Sequence, residues 1–174
     1  VFCAAGTPWY LTLFGRDSIW AARMLLPFGT ELAAGTLRTL ARRQGERDDP
    51  GAAEEPGKII HEVRRTGLVD AEGGTRLPTL YYGSVDATPL WLCLLHDAWR
   101  WGMPPEQVRE LLPTARAAMD WIERSCAGHP EGLLTYSDRS GHGLTHQGWK
   151  DSGDSMRFAD GGLASPPIAL LEVQ

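Results

Sequence analysis

Apolar stretches of helical length, set between long polar loops, constrain this chain more than any other feature. Ile19-Trp20-Ala21-Ala22-Arg23-Met24-Leu25-Leu26 is apolar around most of a helical turn. It predicts a buried helix over about residues 18–27, entered through Asp17 or Ser18 as cap. A second helix is expected over about residues 30–44, with Leu32, Leu37 and Leu40 on its apolar side and Gly45 as its stop. A third is expected over about residues 88–101, with Pro89 in the first turn and Trp91, Leu94, Leu95 and Ala98 facing a core. The fourth begins at Pro104-Pro105-Glu106 and breaks at Leu112-Pro113. It resumes through residues 115–124 with a Met119, Ile122, Cys126 stripe. Residues 46–57, 66–79 and 141–147 read as loops. Residues 58–65 and 133–136 read as short extended pieces. Few strands are expected, so the pattern predicts an all-α chain whose helices pair as hairpins, with function gathered at one end.

The chain has 174 residues, 43% of them hydrophobic, which suffices for one domain with a packed core. A net charge of -5 without any basic block argues against nucleic acid and anionic membrane as partners. No apolar run reaches membrane-spanning length, and no signal peptide is recognisable. Cys3, Cys93 and Cys126 are far apart and form no CxxC pair. They read as reduced thiols of a cytoplasmic protein and not as a disulfide frame or zinc site. Seven Trp are many for this length, and an indole offers a flat apolar face suited to a sugar ring. The chain starts without Met inside an apolar run, and residues 166–174 read as a helix just beginning. It is therefore expected to be a piece of a longer protein.

Three turns carry the candidate chemistry. Gly148-Trp149-Lys150-Asp151-Ser152-Gly153-Asp154-Ser155 crowds two carboxylates, a cation and an indole onto one loop. Phe14-Gly15-Arg16-Asp17-Ser18 and Tyr81-Tyr82-Gly83-Ser84-Val85-Asp86-Ala87-Thr88 each place an Asp at a helix start. Arg16, Asp17 and Asp86 can be simple caps and ion pairs, or they can hold sugar hydroxyls, which carboxylates and guanidinium forks bind well. Three such turns in one helical domain can line one pocket. His61-Glu62 reads as a solvated loop pair, and His142 and His146 sit in a glycine-rich loop that does not converge them on a metal. No Ser-His-Asp order, phosphate loop or dinucleotide fingerprint is present. Glycoside hydrolysis suits these parts best, since it needs a neutral acid, a second carboxylate and groups that hold a ring.

Gly15-Arg16-Asp17-Ser18, Tyr82-Gly83-Ser84-Val85-Asp86-Ala87-Thr88, Gln147-Gly148-Trp149-Lys150-Asp151-Ser152 and Asp160-Gly161 followed by Pro166-Pro167-Ile168-Ala169-Leu170 come in an ordered series. As a set they resemble the amylo-alpha-1,6-glucosidase family, the glycogen-debranching type of glycoside hydrolase. The resemblance implies an all-α (α/α)6 toroid, incomplete in this chain. It implies an inverting enzyme of alpha-linked glucans, with Asp151 as general acid and Asp154 as the competing candidate. Arg16, Asp17 and Asp86 would bind substrate, beside Lys150, while Tyr82 and Trp149 would be ring platforms. No metal or organic cofactor is implied. The general base would be a Glu beyond the end of this chain, with Glu172 too early for that part. The partners would be an oligo- or polysaccharide and the remainder of the barrel from a longer chain, and this chain alone would be inactive. Related barrels act on trehalose or mannosylglycerate, and a non-catalytic carbohydrate-binding helical module is the reading from another class.

Overall fold

A computed structural model describes residues 1–69 and 74–174. Part of the glycine-rich loop read over 66–79 therefore lies outside the described residues. Four α-helices are present among them: α1 Gly15–Met24, α2 Glu31–Ala41, α3 Ala87–Arg100 and α4 Pro105–Ala127. A single 3-10 turn, Leu26–Phe28, links α1 to α2. Six two-residue strands pair antiparallel. These are β1 Glu62–Val63 with β4 Leu80–Tyr81, β2 Leu68–Val69 with β3 Arg76–Leu77, and β5 Thr135–Tyr136 with β6 Ile168–Ala169. The fold is thus mixed, and the expectation of an all-α (α/α)6 toroid is corrected: helices are interleaved with three antiparallel ladders. Strands of two residues show no alternation in sequence, which is why helical periodicity dominated the reading.

The main core lies where α1, α2 and α3 pack together with α4 against α2 and α3. Ala33, Ala34, Leu37 and Leu40 of α2 are buried, and the small residues let α3 approach. Trp91 of α3 is fully buried there, and its indole nitrogen donates to the Leu37 carbonyl at 3.2 Å. Ile59 and Ile60 are fully buried as well, so the segment before β1 belongs to the core. The Ile59 amide donates to the Thr88 hydroxyl at 2.9 Å, which ties that segment to the start of α3.

Three local expectations change. The fourth helix is continuous through Pro113, because Pro113 and Arg109 are both exposed and water can reach the carbonyl that proline leaves unpaired. Its buried side carries Leu111, Ala118 and Trp121, while Met119 of the expected stripe is exposed. The segment after Pro166-Pro167 forms β6 and a 3-10 turn, Leu171–Val173, instead of an α-helix. No helix among the described residues is long and apolar enough to cross a membrane.

Candidate functional site

The three sequence turns meet at Arg16. The Gly15 amide donates to the His61 carbonyl at 2.8 Å, which starts α1 at Gly15 instead of Ser18. Gly15 lies so close to the Ile60 carbonyl oxygen that a Cβ would come within 2.2 Å of it. Arg16 consequently sits in the first turn of α1, beside the start of α3. Its Nε donates to Asp86 Oδ2 at 2.6 Å, and its Nη2 reaches Asp86 Oδ1 at 3.2 Å. The same Nη2 donates to the Gly148 carbonyl at 2.7 Å, and Nη1 stands 3.8 Å from Asp151 Oδ2. One guanidinium thus clamps together positions 70 and 132 residues away in the chain. Asp86 occupies the capping position of α3 without capping it. The Ser84 hydroxyl instead donates to Asp86 Oδ1 at 2.6 Å and accepts from the Ala87 amide at 3.3 Å.

A cleft of about 550 Å³ opens beside this clamp. Arg16 and Trp20 of α1, Asp86, Leu90 and Cys93 of the α3 region, Trp149 and Glu172 line it. A smaller cleft of about 130 Å³ shares Trp149 and Glu172 and adds Lys150 and Tyr136. Trp149 is exposed, and the Lys150 ammonium lies 5.6 Å from its ring centroid. Asp151 lines neither of these clefts; its carboxylate is 44% exposed beside the Arg16 guanidinium, which is nearly covered at 12%.

No family model matches the chain, and no curated protein matches it.

Arg16, Asp86, Trp149, Lys150 and Asp151 are therefore brought together. Three expected site residues are not. Asp17 is exposed in the first turn of α1, does not line the cleft, and has no hydrogen bond or ion pair among the described residues. Tyr82 is corrected from ring platform to core residue: it is buried, and its hydroxyl donates to the Arg43 carbonyl at 2.9 Å. Asp154 is exposed away from the lining residues, with its carboxylate 3.9 Å from Arg157. Arg16 and Asp86 spend most of their hydrogen bonds on each other and on the loop, so they position the site more than they offer themselves to hydroxyls.

Sequence reasoning undervalued His61 and Glu62, which are buried and not solvated. Glu62 Oε1 accepts from Arg64 Nε at 2.8 Å, while Glu62 Oε2 and His61 Nδ1 have no partner among the described residues. Burial pushes the Glu62 carboxyl up, Arg64 opposes this, and the negative charge of Asp151 adds to it. Burial, with Arg16, Arg64 and Lys58 adding, pulls the His61 imidazole down to about 3. The pair thus lies behind the clamp, held by the bridge between Phe14 and Glu62. The available signal was its position between Ile59-Ile60 and Val63, a run that suits a buried strand. Among the described residues, no three His, Cys, Asp or Glu side chains cluster to hold a metal ion.

Proposed function

We propose that this chain carries the acid-bearing part of a glycoside hydrolase site for alpha-linked glucans. The observation that carries the reading is the Arg16 clamp, which joins all three motifs, leaves the Trp149 indole exposed at a ligand-sized cleft and holds the half-exposed Asp151 carboxylate 3.8 Å from the guanidinium that lines it. In this reading Asp151 delivers the proton to the glycosidic oxygen as the bond to the anomeric carbon breaks. A water attacks that carbon from the opposite face with inversion and loses its proton to a second carboxylate. That carboxylate is a Glu outside this chain, so turnover belongs to the longer protein. Trp149 offers the ring face not covered by Lys150, whose ammonium lies over the indole and donates to hydroxyls. Arg16 and Asp86 hold the loop in place. A cytoplasmic location fits the three free cysteines.

The test is a proton NMR screen of the full-length protein carrying this chain. It is offered a branched limit dextrin, trehalose and mannosylglycerate. Release of glucose from the dextrin, appearing first as the β-anomer, is expected. Activity confined to trehalose or mannosylglycerate replaces the substrate. Hydrolysis of none of the three overturns the reading.

A further inference from the structure

We infer that a polar cleft at the end of α4 is a further carbohydrate-binding site, taking a neutral, hydroxyl-rich ring at Lys58 and Glu55. That the ring is a glucose unit of a glucan rests on the glycosidase reading; that it is a neutral polyol rests on the cleft alone. The cleft measures about 410 Å³, a size that suits a small ligand. Residues 55 and 58, the last turns of α4 and the segment of β5 line it. Tyr136 lines both this cleft and the smaller one that holds Trp149 and Lys150, so the two are neighbours.

The charges here cancel in pairs. Lys58 is a buried cation, its side chain 5% exposed. Its ammonium meets the Ala53 carbonyl at 3.2 Å and Glu55 Oε1 at 3.5 Å, and lies 5.6 Å from the Trp121 ring centroid. Arg139 holds Asp48, with Nη1 donating to Oδ2 at 3.2 Å and Nη2 to Oδ1. Burial pulls the Lys58 ammonium below the usual lysine value, Glu55 opposes this, and the Arg139 charge adds to it. With each cation facing its own carboxylate, the cleft favours neither an anion nor a cation.

Hydrogen-bonding capacity remains on both sides of the Lys58–Glu55 pair. An ammonium has three hydrogens, and only two long contacts engage them. Glu55 Oε2 accepts from the Trp121 indole nitrogen at 3.0 Å, while Oε1 has the long Lys58 contact alone. Lys58 and Glu55 thus present a donor and an acceptor 3.5 Å apart, a pattern that two adjacent ring hydroxyls complement. Thr135 and Ser137 are two apart on an extended segment, so their side chains share a face, and neither hydroxyl has a hydrogen bond among the described residues. The Ser125 hydroxyl donates to the Trp121 carbonyl at 2.8 Å and keeps its lone pairs, and Gln147 Nε2 reaches only the Leu144 carbonyl, at 3.5 Å. The Tyr136 hydroxyl lies 3.4 Å from His146 Nδ1, and the Val85 and Gly128 amides are bound to the Gln147 and Arg124 carbonyls. A hydroxyl both donates and accepts, so a sugar ring satisfies this mixed set, where a phosphate or an ammonium group meets a like charge.

Lys58 and Lys150 are the two lysines of this chain, one at each of the neighbouring clefts, so each reports on its own site. The full-length protein carrying this chain is labelled with carbon-13 at the lysine ε-carbons, and the assigned Lys58 and Lys150 resonances are followed as maltose or sodium phosphate is added. Maltose is expected to shift Lys58 saturably, and phosphate at the same concentration to leave it in place. Thr135→Val combined with Ser137→Ala is expected to weaken the Lys58 response at least tenfold and to leave any Lys150 response unchanged. Ser137→Ala alone, at an exposed position where the fold is not at stake, is expected to weaken it about fivefold. A Lys58 resonance that ignores maltose, one that phosphate shifts equally, or a maltose response that survives the double variant overturns the inference. Hydrolysis of the limit dextrin beside a silent Lys58 overturns it and leaves the glycosidase reading standing. A maltose response at Lys58 beside no hydrolysis of limit dextrin, trehalose or mannosylglycerate supports the site and overturns the glycosidase reading.

Discussion

Arg16→Met removes the clamp while keeping most of the side chain's apolar stem. Arg16 and Asp86 are 12% and 9% exposed, so both charges are largely out of water. The substitution deletes the two-pronged contact to Asp86 and the 2.7 Å bond to the Gly148 carbonyl. Stranding one partner of a buried pair costs about 3–5 kcal/mol. Asp86 keeps its bond from Ser84, and the cleft admits some water, so the expected loss is about 3 kcal/mol. Asp86→Asn removes the charge but keeps an acceptor, with an expected loss of about 2 kcal/mol. In the double variant no charge is stranded. Its loss is expected near 3 kcal/mol, roughly 2 kcal/mol less than the sum of the singles. Urea unfolding of the four proteins, read by tryptophan fluorescence, gives the cycle. Limited proteolysis of the native proteins should show earlier cutting within residues 148–155 in Arg16→Met. Losses that simply add, or an Arg16→Met cost below about 1 kcal/mol, would refute the clamp as the element that joins the three segments.

Tyr82→Phe should cost about 1 kcal/mol in urea unfolding by leaving the Arg43 carbonyl without its donor, and should leave sugar binding unchanged; impaired binding would return Tyr82 to the site. Gly15→Ala should destabilise by more than about 2 kcal/mol, since a Cβ would stand 2.2 Å from the Ile60 carbonyl oxygen and backbone must move; an unchanged midpoint contradicts the close packing. His61 is held near 3 against an unfolded value of 6.5, so between those pH values the unfolded chain binds the extra proton. Its contribution to stability is complete above pH 6.5 and falls by up to about 1.4 kcal/mol per unit as pH drops through that window. Glu62 acts oppositely, because its raised value makes the folded state hold the proton longer and costs stability as pH rises above 4.5. Unfolding curves of His61→Phe and Glu62→Gln against pH should lose those respective slopes, and slopes that persist assign the titration elsewhere.

The helical skeleton was legible because its signals are periodic and long. The third helix, expected over residues 88–101, runs Ala87–Arg100, since Pro89 and the Trp91, Leu94, Leu95, Ala98 face fix it. The ladders were not legible: two-residue strands such as Thr135–Tyr136 take their identity from partners more than thirty positions away, here Ile168–Ala169. Convergence at Arg16, Asp86 and Asp151 was anticipated from three Asp-bearing turns, two at helix starts and the third on the loop over residues 148–155, which no α-helix follows among the described residues. The division of labour did not follow, because whether Arg16 holds a sugar or holds Asp86 depends on a contact across 70 residues that no local pattern encodes. Tyr82 illustrates the same limit, being an aromatic beside a candidate turn whose ring faces the core. Trp20 shows the converse. A helix apolar on nearly all sides read as buried, yet only Gly15, Ser18, Ile19 and Ala22 of α1 are; Met24 and the following Leu25 are exposed, and the Trp20 indole borders the cleft.

The most direct measurement is glucose release from a branched limit dextrin by the full-length protein, with wild type beside Asp151→Asn and Asp154→Asn. Asp151 is the exposed carboxylate tied to the Arg16 clamp, and Asp154 stands apart from it. Loss of the acid should lower turnover by roughly 10²–10⁴-fold in Asp151→Asn, with unfolding midpoints unchanged and Asp154→Asn within about twofold of wild type. Wild-type turnover in Asp151→Asn, or a collapse confined to Asp154→Asn, would contradict the assignment of Asp151 as the acid.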